Sequence, residues 1–127
     1  MEKPFEITKL TSVRRPGKAA CLVSCWLCLL VTVVAGPPPV ITVQPTNQTV
    51  QVGGNATFAV QATSGTTLTY QWYFQTNAIP GATGSSYTVT HAQLTHAGAY
   101  YATVMNADGT VNSTNAILTI VTVIVTK

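Results

Sequence analysis

From residue 40 onward the chain alternates apolar and polar side chains in short runs, each stopped by Gly, Pro or Asn. Val40-Ile41-Thr42-Val43 reads as a strand closed by Gln44-Pro45. Gln48-Thr49-Val50-Gln51-Val52 alternates and stops at Gly53-Gly54, a turn signal. Residues 55–62 put Phe58, Val60 and Ala62 on one face, with Thr57, Ala59 and Gln61 on the other. Residues 68–74 put Leu68, Tyr70, Trp72 and Phe74 on one face, with Thr69, Gln71 and Tyr73 opposite. A loop over 79–85 follows, then a strand that aligns Tyr87 and Val89. Residues 99–105 align Tyr100, Ala102 and Val104. Asn106-Ala107-Asp108-Gly109 predicts a hairpin turn, with Gly109 able to take positive φ. A returning strand over 110–120 aligns Leu118 and Ile120. Roughly seven or eight strands at period two, without a helical repeat, predict an all-β antiparallel sandwich. Residues 121–125 either prolong the last strand or lead out of the domain.

The first 35 residues follow another pattern. Residues 1–18 are polar and net basic, and residues 19–35 are apolar apart from Ser24 and Thr32. Gly36-Pro37-Pro38-Pro39 then bars any helix from continuing. A basic leader, an apolar run and small residues before a break predict a secretory signal, with Val33 and Ala35 placed for a cut after Ala35. The alternative is an uncleaved membrane anchor over 19–35, near the lower length limit for a bilayer span, with the body outside. Leu22-Val23-Ser24-Cys25 matches a lipobox by chance, because the apolar run continues well past Cys25. The chain thus divides into a signal or anchor (1–35), a Pro-rich linker (36–39), a sandwich domain (40–120) and an extension or tail (121–127).

Charge sharpens that division. Of 127 residues, six are Lys or Arg and three are Asp or Glu. Lys3, Lys9, Arg14, Arg15 and Lys18 precede residue 19, as do Glu2 and Glu6. From Gly36 onward the charged side chains are Asp108 and Lys127. A nearly neutral body has no basic patch to neutralise phosphates, which argues against nucleic acid as a partner. Cys21, Cys25 and Cys28 all lie in the apolar run, so the body has no internal disulfide.

Residues 39–120 resemble immunoglobulin-like domains of the intermediate type, especially the cysteine-free versions found in tandem in large bacterial surface proteins. The resemblance rests on Gly54, Tyr70-Gln71-Trp72-Tyr73, Ala78-Ile79-Pro80-Gly81-Ala82-Thr83, Ser86-Tyr87-Thr88-Val89-Thr90, Gly98-Ala99-Tyr100 and Leu118-Thr119-Ile120. It implies a Greek-key sandwich with Trp72 as the core tryptophan of strand C. The family's two cysteines fall on Val60 and Ala102, so an apolar pair replaces a disulfide worth about 2–5 kcal/mol. Packing of Phe58, Val60, Trp72, Val89 and Leu118 is then expected to hold the sheets together. The family's aspartate ahead of Gly98 is replaced by His96, which removes the usual buried ion pair. Tyr100 is retained, and its hydroxyl is expected to bond back to the preceding corner.

Catalytic chemistry has little to work with. Hydrolytic mechanisms need paired titratable groups or an activated nucleophile. The body offers one carboxylate, Asp108, plus His91 and His96. Asp108 and His96 are predicted at opposite ends of one strand, and a histidine pair falls short of the three or four ligands of a zinc site. Calcium would need several oxygens. The expectation is a non-enzyme without cofactor or metal. Asn47, Asn55 and Asn112 fit the N-glycosylation pattern, as an Asn- and Thr-rich chain does by chance. The resemblance to bacterial proteins implies that these sites are unused.

What remains is binding. Thr69, Gln71, Tyr73, Tyr101 and Thr103 are predicted on the outward face of two neighbouring strands, where Tyr with Thr and Gln suits a protein or glycan ligand of unknown identity. An ordinary solvated β face would look similar. The function expected is a secreted or cell-surface interaction module for adhesion. The alternatives are a structural spacer beside neighbouring immunoglobulin-like domains and, more remotely, an accessory domain of a carbohydrate-processing enzyme. The membrane enters only through residues 19–35, if uncleaved.

Overall fold

The computed structural model describes residues 34–126. The leader and most of the apolar run, including the signal or anchor helix expected there, lie outside the described residues. Ten strands follow in order: β1 Val40–Val43, β2 Gln48–Gln51, β3 Ala56–Ala59, β4 Gln61–Thr63, β5 Thr69–Phe74, β6 Asn77–Ala78, β7 Ser86–Val89, β8 Gly98–Met105, β9 Thr110–Asn112 and β10 Ala116–Val121.

They form two layers. One sheet runs β2-β10-β8-β5-β6, with β9 also paired to β8. The other layer is built from β1 on β4 and β3 on β7. β3 and β4 are separated by the single residue Val60, whose N–H continues the β3–β7 ladder to the Ser85 carbonyl at 2.9 Å. The chain changes layer between β1 and β2, where Gln44-Pro45 intervenes and Pro45 is buried without an N–H to satisfy. β2 then runs parallel to β10, the one parallel pairing among these antiparallel strands.

Period-two alternation is what makes two layers. Ala56, Phe58 and Val60 turn inward from one sheet, and Trp72, Tyr100, Ala102, Val104, Ala116 and Leu118 meet them from the other. Phe58 stacks on Tyr100 with ring centroids 4.8 Å apart, and Phe74 packs on Tyr100 at the same distance. Trp72 is fully buried and donates its indole N–H to the Gly84 carbonyl at 2.9 Å. That bond ties the 79–85 loop across the flank of the sandwich. Val60 and Ala102 are both buried, so apolar side chains fill the two positions at which the resemblance implied cysteines. Val89 and Leu118 close the core at 4% and 1% exposure.

Several details depart from the sequence reading. The returning strand predicted over 110–120 is two strands, because Ser113 takes over a rung: its hydroxyl accepts the Ala102 N–H at 2.9 Å. Gly109 does not adopt positive φ; the glycines that do are Gly53, Gly81 and Gly98. Gly109 is instead required by close approach, since a Cβ there would lie 2.9 Å from Pro38 Cβ. The 3-10 turn Leu94–His96 and the two-residue strand β6 are both too short to leave a periodic signal. Of the two alternatives for residues 121–125, the strand ends at Val121 and the rest leads out, with Ile124 82% exposed.

Candidate functional site

The outward face of β5 and β8 is set by their register. Gln71 lies opposite Thr103 and Tyr73 opposite Tyr101, while Thr69 pairs with Met105. Directly opposed side chains in such a pair are neighbours, and the two phenol rings stack with centroids 4.9 Å apart and planes 5° from parallel. Both tyrosines are half-buried, so part of each side chain stays accessible to water. Ala99 and Ile117, another opposed pair on this face, add an apolar shoulder beside Tyr101, with Ile117 44% exposed.

The polar members of the face are partly spoken for. Gln71 donates through Nε2 to the carbonyls of Ile79, at 2.7 Å, and Trp72, at 2.9 Å. It therefore anchors the segment after β6 while its position on the face is held rigid. Thr103 donates its hydroxyl to Asn112 Oδ1 at 2.9 Å, which brings Asn112 into the surface, a residue the sequence singled out only as a glycosylation match. Thr69 reaches the Met105 carbonyl at 3.5 Å, a weak contact that leaves its hydroxyl largely available to solvent. The result is a fixed surface of two phenols, a threonine, an amide and an aliphatic shoulder, with no charged side chain among them.

The three acceptor-pattern asparagines all have local work. Asn47 Oδ1 accepts the Ile117 N–H at 2.8 Å, and Asn55 Oδ1 accepts the His91 N–H at 3.0 Å. Their side chains stand in for missing ladder partners, which explains their presence without any glycan.

The corner ahead of β8 is rigid. The Tyr100 hydroxyl donates to the His96 carbonyl at 2.9 Å, bracing the turn four residues back. Burial, and then the neighbouring Tyr87 phenol, push the Tyr100 hydroxyl up from 10.0 to about 12. His96 Nδ1 accepts the Gln93 N–H at 3.0 Å and so closes the 3-10 turn, in place of the ion pair that an aspartate would make. Gly98, at φ +150°, fits because a Cβ would sit 2.9 Å from the Phe74 ring. His96 precedes the eight-residue strand β8 and Asp108 follows it, so the two do not meet. Among the described residues no three His, Cys, Asp or Glu side chains come together as metal ligands would.

A feature that sequence reasoning missed is a cavity of about 260 Å³ on the open flank between β6 and β7. Phe74, Ile79, Pro80, Tyr87, His96 and Tyr100 line it. β7 is the last strand of its layer, so among the described residues no strand covers the gap to β6 at this end. Ile79-Pro80, which turns away instead of extending β6, was the available signal.

A family model described as "Immunoglobulin domain" matches residues 38–106. Endoglucanase C of Cellulomonas fimi is 35% identical over 86 residues, which cover 65% of this chain and 8% of that protein. The chain therefore spans less than a tenth of the curated relative it matches. Among solved structures, tandem Ig repeats of Dlar align with a TM-score of 0.62 at 20% identity, covering 70% of this chain and 50% of that one. An Ig complex of titin with obscurin-like 1 aligns at 0.62 and 21% identity, covering 71% and 100%. Extracellular domains of Drosophila OTK align at 0.58 and 17% identity, covering 65% and 31%. These structural likenesses bear on the fold alone.

Proposed function

The chain belongs to the immunoglobulin domain family, and from that premise we propose that it is a non-catalytic interaction module working outside the cytoplasm, with the outer face of β5 and β8 as its contact surface. The observation that carries this reading is the Tyr73–Tyr101 stack, held on a rigid, uncharged face. Stacked phenols offer large contact area at low entropic cost, and their hydroxyls supply directional bonds to a protein or glycan. The basic leader and the apolar run support export, with a cut after Ala35 that frees the domain. The same face carries no carboxylate, and Asp108 stands alone in the body, which supports binding over hydrolysis.

The test is attachment. Cells or beads displaying the full chain are compared with the Tyr73→Ser, Tyr101→Ser double variant. Loss of attachment with an unchanged thermal transition supports the reading; full attachment by the double variant sinks it.

A second reading has its own support. The 35% identity to a small segment of Endoglucanase C favours a spacer or accessory unit within a larger carbohydrate-active protein. Under this reading the isolated chain binds insoluble cellulose no better than an unrelated sandwich does, and its effect appears only when it is joined to a partner domain. Tyrosine-dependent retention on cellulose by the isolated chain would instead merge the two readings into one glycan-binding module.

A further inference from the structure

The linker ahead of β1 lies against the β8–β9 turn, and each contact is specific. The Gly36 N–H donates to Asp108 Oδ1 at 2.7 Å. Asn106 Nδ2 donates to the Pro37 carbonyl at 3.0 Å and to Ser64 Oγ at 2.8 Å. Asn106 Oδ1 in turn accepts the N–H groups of Asp108, at 2.8 Å, and Gly109, at 2.7 Å, which fixes where the carboxylate sits. Pro38 packs where a side chain on Gly109 would have to be. A Cβ on Gly36 would fall 2.7 Å from Asp108 Oδ2, so the carboxylate reaches this backbone nitrogen only because residue 36 is glycine. Val34 and Ala35, just ahead, are exposed.

We propose that Asp108 is a receptor for the mature N-terminus: the cut after Ala35 converts the Gly36 amide into an α-ammonium that Asp108 holds as an ion pair. This inference rests on the export reading above. In the step itself, a leader peptidase adds water across the Ala35–Gly36 bond; Ala35 leaves with the carboxylate and Gly36 keeps the nitrogen, which takes up a proton. Before the cut the nitrogen offers one N–H to Asp108. After it the nitrogen offers three donors and a full positive charge, and charge-assisted bonds are roughly twice as strong as neutral ones. Asp108 is the one acidic side chain from residue 7 onward, so the new charge has a single side-chain partner, already in place. Processing would then tighten the linker onto the sandwich instead of leaving a loose end.

The experiment uses the exported product of this chain expressed from Met1 and carrying Lys127→Arg, which removes the remaining lysine after Gly36, with and without Asp108→Asn. Mass measurement first gives the starting residue, which is expected to be Gly36. The α-amine is then labelled with an acylating reagent at neutral pH. Labelling is expected to be about tenfold slower with Asp108 in place than in the Asp108→Asn variant, the effect of raising an amine by about one pKa unit. Acetylation restores an amide-like N–H without charge, so it should lower the Tm of the protein that keeps Asp108 and leave the Asp108→Asn protein unmoved. A product that keeps residues ahead of Gly36 overturns the proposed cut and this inference together. A product starting at Gly36 whose labelling rate and Tm ignore Asp108 overturns this inference alone and leaves export standing.

Discussion

The two faces of the β5–β8 pair share one backbone, one register and one alternation, yet they do different work. On the inner face Trp72, Ala102 and Val104 are wholly buried, and Tyr100 spends its hydroxyl on the His96 carbonyl. On the outer face Tyr73 and Tyr101 stack on each other and stay only half-buried. The contrast teaches that one side of these strands is answerable to the core and the other is free to answer to a partner. Tyrosine appears on both, so residue type alone does not say which side is which; the parity of the position does.

The largest expected effect breaks the inner face. Trp72→Ala should cost about 3–5 kcal/mol, read as a lower urea midpoint, because it empties the centre of the core and orphans the Gly84 carbonyl. Gly98→Ala should cost about 1–3 kcal/mol by the same measurement, since it strains the backbone and presses on Phe74. Tyr100→Phe should cost about 1–2 kcal/mol by leaving the His96 carbonyl without its donor. That residue also gives the comparison a pH signature. Its phenol is raised from 10.0 to about 12, so the folded chain favours the neutral form. The associated stability is whole below pH 10 and is lost as pH climbs toward 12. Tyr100→Phe should lack that loss, and alkaline denaturation of the two proteins compares them directly. The smallest stability effect belongs to the outer face: Tyr73→Ser and Tyr101→Ser should each cost about 1 kcal/mol or less in the urea midpoint, although attachment fails. Outer-face variants that unfolded the chain as Trp72→Ala does would erase the distinction between the faces.

Strand positions and the inward set of Phe58, Val60, Trp72, Val89, Tyr100, Ala102 and Leu118 were legible because burial on one side imposes alternation. The opposition of Tyr73 and Tyr101 was legible only as far as both point outward from neighbouring strands; their stacking needed the register. What was hidden depends on partners distant in sequence. Gly109 looked like a turn glycine, but its reason is Pro38, and nothing local announces a neighbour so far away along the chain. The Asp108–Gly36 bond spans 72 residues and is equally silent. Ser113 breaks a strand by offering its hydroxyl to a rung, while a serine in an unbroken strand would read the same. The cavity beside β7 is hidden for another reason: it arises from a layer that stops, and a missing neighbour has no sequence of its own.

The parallel pairing of β2 with β10 has a mechanical consequence. Gln48 opposes Leu118 and Val121 opposes Gln51, so the two strands run side by side in the same direction. Once β1 has come away from β4, a pull applied to the chain on either side of the sandwich draws β2 by its Gln48 end and β10 by its Val121 end. The rungs between them are then loaded in shear and must fail together, whereas a hairpin pulled at its open end peels one rung at a time. A domain strung between two attachment points would resist tension along the same line on which it is hung.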